Sequence, residues 1–575
     1  MSCRRWVILV VVAGVGLAGC QVFVDDADRQ VYKLIEQRQR EALALNADAT
    51  VDTERVPKAV PSSAYDHVPS PTDSTIPSAM KATTQPSTQP LTPPTSQAIL
   101  GATTQPANLT RMTLKDALMY AFRHARQFQS AKEDLYLAAL ALTLERHMWG
   151  PRFMGNIEIQ YANYGQIRDF DHAMKAVADV AVEQRLPYGG EVTAKVINTL
   201  MRDLGQRITT SESGQAILEA NIPLLRGAGR VARESRYQAE RELIYATRTF
   251  ERFRRRFVVE VANAFLELIS QQRQIENAKA SYRSFLVGAE RAEALFSAGR
   301  LIELEAQRAG QEVLAAWNQV VSAEEVYQRS LDQFKILIGM PTVEPMDIVE
   351  RKIELRMPTV DEQTVVAIAT KNRLDLLNVQ DGIDDAHRGV GVARNNLLPS
   401  LDLRGNVTFD TNPSELNQYH YEHERTTWRA FMDLELPLDR MAERNQYRSS
   451  LIDLRRAQRQ YDLAADQVRF EVRRARRQMD LALKTLSIQR QSMELALRQR
   501  EAAEFRFETG QLSNREVIDA ENNLLRARDR LATADSRFWQ AILEFYRDAG
   551  MIRVTDDGNL LDARGKLLDL SAENR

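Results

Sequence analysis

Two very long helical stretches constrain the fold more than any other feature of the sequence. They cover about residues 227–297 and 440–508, and no proline interrupts either one. Seventy helical residues span about 105 Å at a rise of 1.5 Å each. No single globular domain is that long, so the two helices must pack lengthwise in a bundle or a tube. The helical spacing of the apolar residues on the first stretch predicts a buried seam, made of Phe250, Phe253, Phe257, Val261, Phe265 and Leu268.

The second constraint is an internal duplication. His124 and Asn372 are separated by 248 residues, as are Pro151 and Pro399. A second pair of landmarks shares an offset of 211, which links Gly299 to Gly510 and Gly339-Met340 to Gly550-Met551. Each half is therefore predicted to have the same order of elements: helices, alternating strands, a very long helix, a glycine break and a returning helix.

Between the helices, the hydrophobic period changes from 3.6 to 2. Segments of about ten residues carry one apolar and one charged face, as in residues 401–410, where Leu401, Leu403, Val407 and Phe409 alternate with polar residues. This pattern is typical of a transmembrane barrel that is apolar outside and wet inside. A soluble sheet also alternates. The position of these segments between tube-length helices favours the barrel.

The strand regions of the two halves differ in length. Pro151 and Pro223 are 72 residues apart, whereas Pro399 and Pro437 are 38 apart, so the first half contains 34 more residues. These include the turn at residues 186–190, flanked by two alternating stretches, and they predict an additional hairpin. The hairpin either joins the barrel or folds over its mouth, and the sequence leaves both arrangements open.

The N-terminus has the pattern of an export signal. Arg4 and Arg5 precede an apolar stretch at residues 6–17, and the following Leu17-Ala18-Gly19-Cys20 resembles a bacterial lipobox. An ordinary signal peptide with an incidental cysteine is the alternative. We expect residues 1–19 to be removed and Cys20 to carry a covalent lipid. The residue after it is Gln21 rather than the aspartate that resembles an inner-membrane retention signal, which favours the outer membrane.

Two segments separate this signal from the repeats. Residues 20–45 are predicted to form a lipid-anchored helix. Residues 46–108 contain ten of the nineteen prolines and several Thr-Gln-Pro near-repeats. This composition cannot bury a core, so we expect a flexible linker.

Composition and motifs exclude several functions. The 76 basic and 78 acidic residues nearly cancel, which gives no general attraction for nucleic acid. No run of 18 apolar residues follows residue 20, so we expect any membrane passage to use strands. The sequence contains no nucleophile elbow, phosphate-binding loop, Cys-X-X-Cys pair or dinucleotide fingerprint. We therefore expect neither enzymatic activity nor a cofactor other than the lipid.

Over residues 110–551 the sequence resembles the TolC-like outer-membrane efflux family, particularly its lipid-anchored members. The likeness rests on the duplication and on local strings: residues 222–230 and 436–438 at the junctions of strands and long helices, and residues 296–299 and 507–510 at the hairpin tips. It implies a mainly α protein with a transmembrane β-barrel. Three duplicated protomers would share that barrel, each giving the usual four strands, or six with the extra hairpin, and their long helical hairpins would form an α-barrel. The first repeat would cover residues 109–340 and the second 361–551, with an inter-repeat linker at 341–360 and a C-terminal tail at 552–575.

The resemblance also suggests functional residues. Glu516 and Asp519, one turn apart, match acids of the closed periplasmic entrance, and Glu305 is their first-repeat counterpart. They could equally be ordinary exposed helix acids. At the tips, a periplasmic adaptor would dock on Gly299, Leu301, Gly510 and Leu512, although both glycines could simply cap helices.

One sequence cluster has metal-ligand character, residues 420–424 with His420 and His423. It has no second ligand set, so we predict no metal site.

The leading hypothesis is a passive outer-membrane duct of a tripartite efflux or type I secretion system. Its partners would be two more copies of this chain, a periplasmic adaptor, an inner-membrane transporter and outer-membrane lipid, with no nucleic acid. The alternative is a non-conducting lipoprotein that bridges envelope layers. The cargo is not encoded in any motif.

Overall fold

A computed structural model describes residues 20–43, 110–163, 172–203, 210–349, 357–358, 361–412, 420–509, 511–555, 560–561 and 567–568. It contains nine α-helices and eleven strands in these ranges. The predicted linker at residues 46–108 lies outside them. Gly510 also lies outside the described residues.

The first repeat begins with a short strand and two helices, β1 (Thr110–Met112), α2 (Leu114–His124) and α3 (Arg126–Met148). Four long strands follow: β2 (Arg152–Asn163), β3 (His172–Arg185), β4 (Glu191–Asp203) and β5 (Thr210–Pro223). The repeat closes with the helical hairpin of α4 (Glu234–Ser297) and α5 (Glu303–Ile338).

The second repeat has the same order with fewer strands. Strand β6 (Met346–Ile348) precedes α6 (Glu362–Asn372) and α7 (Leu374–Asn395). Two strands follow, β7 (Ser400–Thr411) and β8 (Tyr421–Glu435). The second hairpin consists of α8 (Met441–Glu508) and α9 (Asn514–Asp548).

The elements repeat with the offsets that the sequence gives. Strands β2 and β7 begin and end 248 residues apart, and Gly339 and Gly550 both have positive φ after the returning helices. The first long helix begins at Glu234, however, and not near residue 227. Gly227 and Gly229 have φ of 81° and 76°, which an α-helix does not accommodate, and a 3₁₀ turn at Val231–Arg233 precedes the helix.

The long strands form one antiparallel sheet in the order β2-β3-β4-β5-β7-β8. The extra hairpin of the first repeat is β3 and β4, and it lies inside this sheet between β2 and β5. Strand β5 then pairs with β7, so the sheet joins the two repeats. The large sheet of this chain therefore has six strands, which is the higher of the two numbers, four and six, that the sequence leaves open. Strands β2 and β8 are its edges.

The hydrophobic core runs along the helices below the sheet. The seam predicted on α4 is buried: Phe250, Phe257 and Phe265 are at most 3% exposed, and Phe253 packs against them partly buried. Phe128 of α3 contacts Phe250 and Phe257 with ring centroids 5.8 and 5.6 Å apart. At 64 and 68 residues, α4 and α8 are about 100 Å long.

The N-terminal helix α1 (Cys20–Leu43) packs on α3 and α4. Val31 and Ile35 are buried there, and the Tyr136 hydroxyl donates to Asp28. Farther along, Arg38 lies 3.5 Å from Glu240 of α4. Within the described ranges, every helix is too short or too polar to pass through a bilayer.

Two small sheets complete the structure. Strands β1 and β6 pair in parallel and connect the start of the first repeat with the segment before the second. Three two-residue strands, β9 (Arg553–Val554), β10 (Leu560–Leu561) and β11 (Leu567–Leu568), form an antiparallel sheet in the predicted C-terminal tail. Val554 and Leu560 join the main core, which holds this segment against the helices.

Candidate functional site

The six-stranded sheet has two faces of opposite character. Directly paired residues of an antiparallel sheet lie on the same face. One row crosses all six strands on the face that we name the apolar face: Phe153, Val182, Ala194, Leu218, Val407 and Trp428. The adjacent row lies on what we name the charged face: Arg152, Glu183, Thr193, Glu219, Asn406 and Arg429.

Exposure is inverted relative to a soluble sheet. On the apolar face, Phe153 and Trp428 are each 76% exposed and Ile157 is 65% exposed. On the charged face, Arg152 and Glu183 form an ion pair whose side chains are only 20% and 19% exposed. Met154 and Phe431 are large exposed apolar side chains on the charged face. A continuous apolar surface of this size requires a partner or a membrane.

Further ion pairs lie on the charged face. Lys195 Nζ is 3.6 Å from Asp179 Oδ2 within the extra hairpin, and Arg404 Nη2 is 3.4 Å from Asp433 Oδ2 between β7 and β8. Both signs of charge alternate along this surface. A wet interior wall of a barrel has this composition.

The turn between β3 and β4 is fixed against the junction of β5 and α4. The Gly229 N–H donates to the Tyr188 carbonyl at 2.8 Å. The guanidinium of Arg233 lies 5.8 Å from the centre of the Tyr188 ring. The extra hairpin is therefore attached at the same end of the sheet from which the long helices leave.

Gly299 caps the helix at the first tip, which is the structural alternative to adaptor docking that the sequence analysis gives for this residue. Gly299 has φ of 71°, and Arg300 N–H donates to the Leu295 carbonyl at 2.8 Å, which closes the helix end. Leu301 is half-buried. The most exposed apolar side chains nearby are Ile302 at 63% and Leu304 at 53%, which the sequence interpretation did not single out.

The second tip gives Glu516 a structural role. Ser513 caps α9, and both its backbone N–H and its hydroxyl donate to the Glu516 carboxylate, in a capping box. These hydrogen bonds hold the pKa of Glu516 below its usual value. The S-x-x-E spacing in the sequence could have revealed this cap. Leu512 is half-buried beside it.

The other two acids proposed for the entrance, Asp519 and Glu305, do not take part in such a capping box. Asp519 lies on the same face of α9 as Glu516 and is 4.0 Å from Arg515, with its side chain 65% exposed. Glu305 lies in the first turn of α5, and it is half-buried. The three carboxylates are thus at the tips, and Asp519 is the one that is both exposed and weakly paired.

Two acids that contact the first hairpin lie above the second tip, and sequence reasoning missed them. Glu521 is 7% exposed, with Arg500 Nε of α8 at 3.7 Å and a hydrogen bond from Ser284 of α4. Burial raises the pKa of Glu521, and the charges of Arg500 and Arg528 offset only part of that rise. Glu521 and Arg500 border a cavity of ≈ 330 Å³ between the two hairpins.

Asp529 is the second such acid, two helical turns farther along α9. It accepts a hydrogen bond of 3.0 Å from Asn277 of α4. Burial raises the pKa of Asp529, and this hydrogen bond lowers it in part. No spacing rule marks either acid, because their burial depends on which face of α9 meets the first hairpin.

The histidine cluster is not arranged as a ligand set. His423 lies in strand β8, and His420 immediately precedes it. Residues three apart on a strand point to opposite faces, so the two rings do not converge. Among the described residues, no group of three or more potential ligands is placed to hold a metal ion.

Long apolar stripes remain uncovered on the outer helices. On α8, exposed residues recur every seven or eleven positions, which keeps them on one side of the helix: Ile452, Leu463, Phe470, Leu481, Ile488 and Leu495. On α5, a shorter set shares one side: Leu314, Trp317, Val321 and Ile336. Stripes of this kind are typical of helices that pack against another chain.

Comparison with known proteins agrees with this architecture. Residues 365–550 match the family model described as "Outer membrane efflux protein". The resemblance predicted from the sequence is thereby confirmed over these residues. No curated protein sequence matches it.

Solved structures show the same fold. The outer-membrane channel OprN is 17% identical, with a TM-score of 0.58 over 76% of this chain and 89% of its own. The outer-membrane protein VceC from Vibrio cholerae is 16% identical, with a TM-score of 0.59 over 76% and 96%. CusC is 14% identical, with a TM-score of 0.58 over 76% and 91%. Together they establish a TolC-like fold.

Proposed function

We propose that this protein is a homotrimeric duct of the outer membrane, through which cargo passes passively from a periplasmic adaptor and an inner-membrane transporter to the exterior. One observation carries the proposal: a sheet whose apolar side chains are its most exposed is directly continuous with helices about 100 Å long. The sheet suits a bilayer, and the helices suit a tube across the periplasm.

The free edges of the sheet support assembly from several copies. Six strands cannot close a barrel with a wide lumen by themselves, and open edges are not tolerated in lipid. Strand β2 leaves the helical end of the sheet and β8 returns to it, so β8 of one copy can pair antiparallel with β2 of the next. The stripes on α8 and α5 would be covered by the neighbouring copies in the same assembly.

The tips suit contact with an adaptor. Ile302 and Leu304 expose apolar side chains there, beside the capped turn at Gly299. A helical hairpin from the adaptor could pack on this surface, helix against helix. The transporter would supply the energy, since this chain is proposed to conduct without catalysis or a cofactor. Covalent lipid on Cys20, the first residue of α1, would add a membrane anchor.

The entrance acids would select ions weakly. Three copies of Asp519 at the narrow end would form a ring of carboxylates that attracts cations. Glu305 would contribute from α5. The crystal structure of the similar outer membrane channel MtrE from Neisseria gonorrhoeae is of its open state. By analogy, we propose that the entrance here also has closed and open states.

Ion conductance tests this function. Full-length protein reconstituted into a planar bilayer is expected to give discrete conductance steps with a preference for cations. Asp519→Asn should reduce that preference, measured from the reversal potential in a salt gradient. Glu325→Gln removes an exposed carboxylate of α5 that pairs with Arg329, and it should leave the preference unchanged. Absence of conductance would contradict the duct and favour the bridging lipoprotein.

A further inference from the structure

The extra hairpin is a full member of the sheet. Strand β3 pairs with β2 over twelve residues and with β4 over thirteen, and β4 pairs with β5 over twelve. At 14 and 13 residues, β3 and β4 are as long as the other four strands. A transmembrane strand needs about 9–11 residues, so both are long enough to cross a bilayer.

The two faces of the sheet continue through the hairpin without interruption. Val180 is 60% exposed on the apolar face, and its partner Val196 is 41% exposed. On the charged face, Asp179 and Lys195 form their ion pair. A lid folded over the mouth of a barrel would be wet on both sides and would not need an apolar face in register with the other four strands.

The contacts of the hairpin turn also support a position of the hairpin in the barrel wall. Its turn contacts the junction of β5 and α4 at the helical end of the sheet, as the Tyr188 hydrogen bond shows. The hairpin therefore rises from the same level as its neighbours. In the described part of the second repeat no strand pair corresponds to it, and β7 and β8 pair directly with each other.

We propose that three copies close an eighteen-stranded barrel, in which β3 and β4 widen the pore. The inference rests on the proposed trimeric duct and specifies which cargo it can admit. Barrel diameter grows roughly linearly with strand number, so eighteen strands give a wall about 1.5 times as wide as twelve. A barrel of that size keeps an aqueous lumen, and both signs of charge line it. The barrel thus admits hydrated polar solutes that are too wide for a twelve-stranded wall.

Single-cysteine labelling tests the position of the hairpin. After the proposed processing and acylation, no free thiol remains, so the unmodified protein gives the background. Lys195→Cys should react with a charged, membrane-impermeant thiol reagent roughly tenfold or more faster than Val196→Cys, whose thiol would face lipid and not ionise. Arg404→Cys and Leu403→Cys, on the charged and apolar faces of β7, are the matched controls. The proposal would be overturned if the cysteines at positions 195 and 196 were labelled equally fast while the cysteine at position 404 was labelled faster than the one at position 403.

Deletion of residues 172–203 tests the width. It leaves β2 and β5 to pair directly, as β7 and β8 do. Polyethylene glycols added on the extracellular side enter a pore and lower its conductance when they fit. The largest polymer radius that enters should fall by about one third in the deletion variant. An unchanged limit would overturn the inference while the duct stands. Loss of all conductance in the unmodified protein would instead overturn the duct itself.

Discussion

Gly190 lies so close to Asn221 that a β-carbon placed on it would be 2.0 Å from the Asn221 carbonyl oxygen. Its φ is also positive, at 84°. The turn of the extra hairpin thus depends on a residue without a side chain, and this contact fixes β3 and β4 to the end of β5. This glycine lies at the junction between the sheet and the long helix α4.

Gly190→Ala should therefore destabilise the assembly strongly. Strain at positive φ costs about 1–2 kcal/mol, and forcing apart a packed contact adds about 1–3 kcal/mol. Gly227→Ala is the matched control, because Gly227 has φ of 81° but nothing within 4 Å of its β-carbon position. We expect a larger fall in the midpoint temperature of trimer dissociation for Gly190→Ala. Equal falls would show that the Asn221 contact does not hold the hairpin.

The contact between the two hairpins should depend on pH through Glu521. Because burial raises the pKa of Glu521 above its ordinary value of 4.5, packing favours the protonated acid. This contribution to stability is fully present below pH 4.5 and is lost as the pH rises through the folded pKa. The groups facing Glu521 are Ser284 from α4, Arg500 and Glu504 from α8 and Arg528 on α9 itself.

The measurement is the midpoint temperature of trimer dissociation as a function of pH. The unmodified protein should become more stable as the pH falls through that window. Glu521→Gln should lose part of this dependence, and the rest is expected from Asp529, whose pKa is also raised by burial. Glu325→Gln should behave like the unmodified protein. An identical pH profile for Glu521→Gln would contradict the role of that carboxyl.

One exposed ion pair connects the two hairpins next to their tips. Arg291 Nη1 of α4 lies 3.3 Å from Glu508 Oε1 of α8. Exposed pairs contribute about 0.5 kcal/mol, which is roughly a twofold change in an equilibrium. If the entrance opens by separating the hairpins, Arg291→Glu should raise the mean conductance about twofold. The double variant Arg291→Glu/Glu508→Arg should restore it. A double variant as conductive as the single one would show that this pair does not restrain the entrance.

The N-terminal helix is oriented unexpectedly for a lipid anchor. Asp28 meets Tyr136, and Arg38 meets Glu240, which also pairs with Arg146. Helix α1 thus runs parallel to α3 toward the sheet, and Cys20 lies at its far end. From the helical rise, Cys20 is roughly 30 Å below the start of the sheet.

Acylated Cys20 should therefore pull the first turns of α1 apart. By the helical rise, Asp28 is about 12 Å closer to the sheet than Cys20, and so roughly 18 Å below its start. Eight residues in extended form reach about 26–29 Å from Asp28, which is enough to bring Cys20 to the membrane. Hydrogen exchange is expected to show fast exchange at residues 20–27 in the lipidated protein and slower exchange in Cys20→Ser. Residues 31–38 should be protected in both. Equal protection at residues 20–27 would contradict this account.

Much of the fold could be predicted from the prolines and glycines that mark the ends of helices and strands in the sequence. Pro151, Pro223 and Pro399 delimit the strand regions, and Gly339 and Gly550 end the returning helices, because these residues restrict or permit particular backbone conformations. The alternation of apolar and polar residues at 401–410 is enough to assign the two faces of β7 from the sequence alone. The sequence could not decide whether the extra hairpin joins the sheet, because alternation gives the faces of a strand but not its neighbour.

The functional residues were harder to predict for a related reason. Glu516 and Glu521 are both acids on α9, yet one caps the helix and the other is buried against α4 and α8. Local spacing could reveal the cap, but burial depends on contacts between residues more than two hundred positions apart. The sequence pattern places the start of α4 seven residues too early, because it includes Gly227 and Gly229, which precede the helix.

The most direct test is electron microscopy of the full-length protein in lipid nanodiscs. We expect a three-fold particle with eighteen strands in the disc and a helical tube of about 100 Å below it. The stripes on α8 and α5 should lie between neighbouring copies. Monomers, or a solid rod of helices without a barrel in the disc, would contradict the duct.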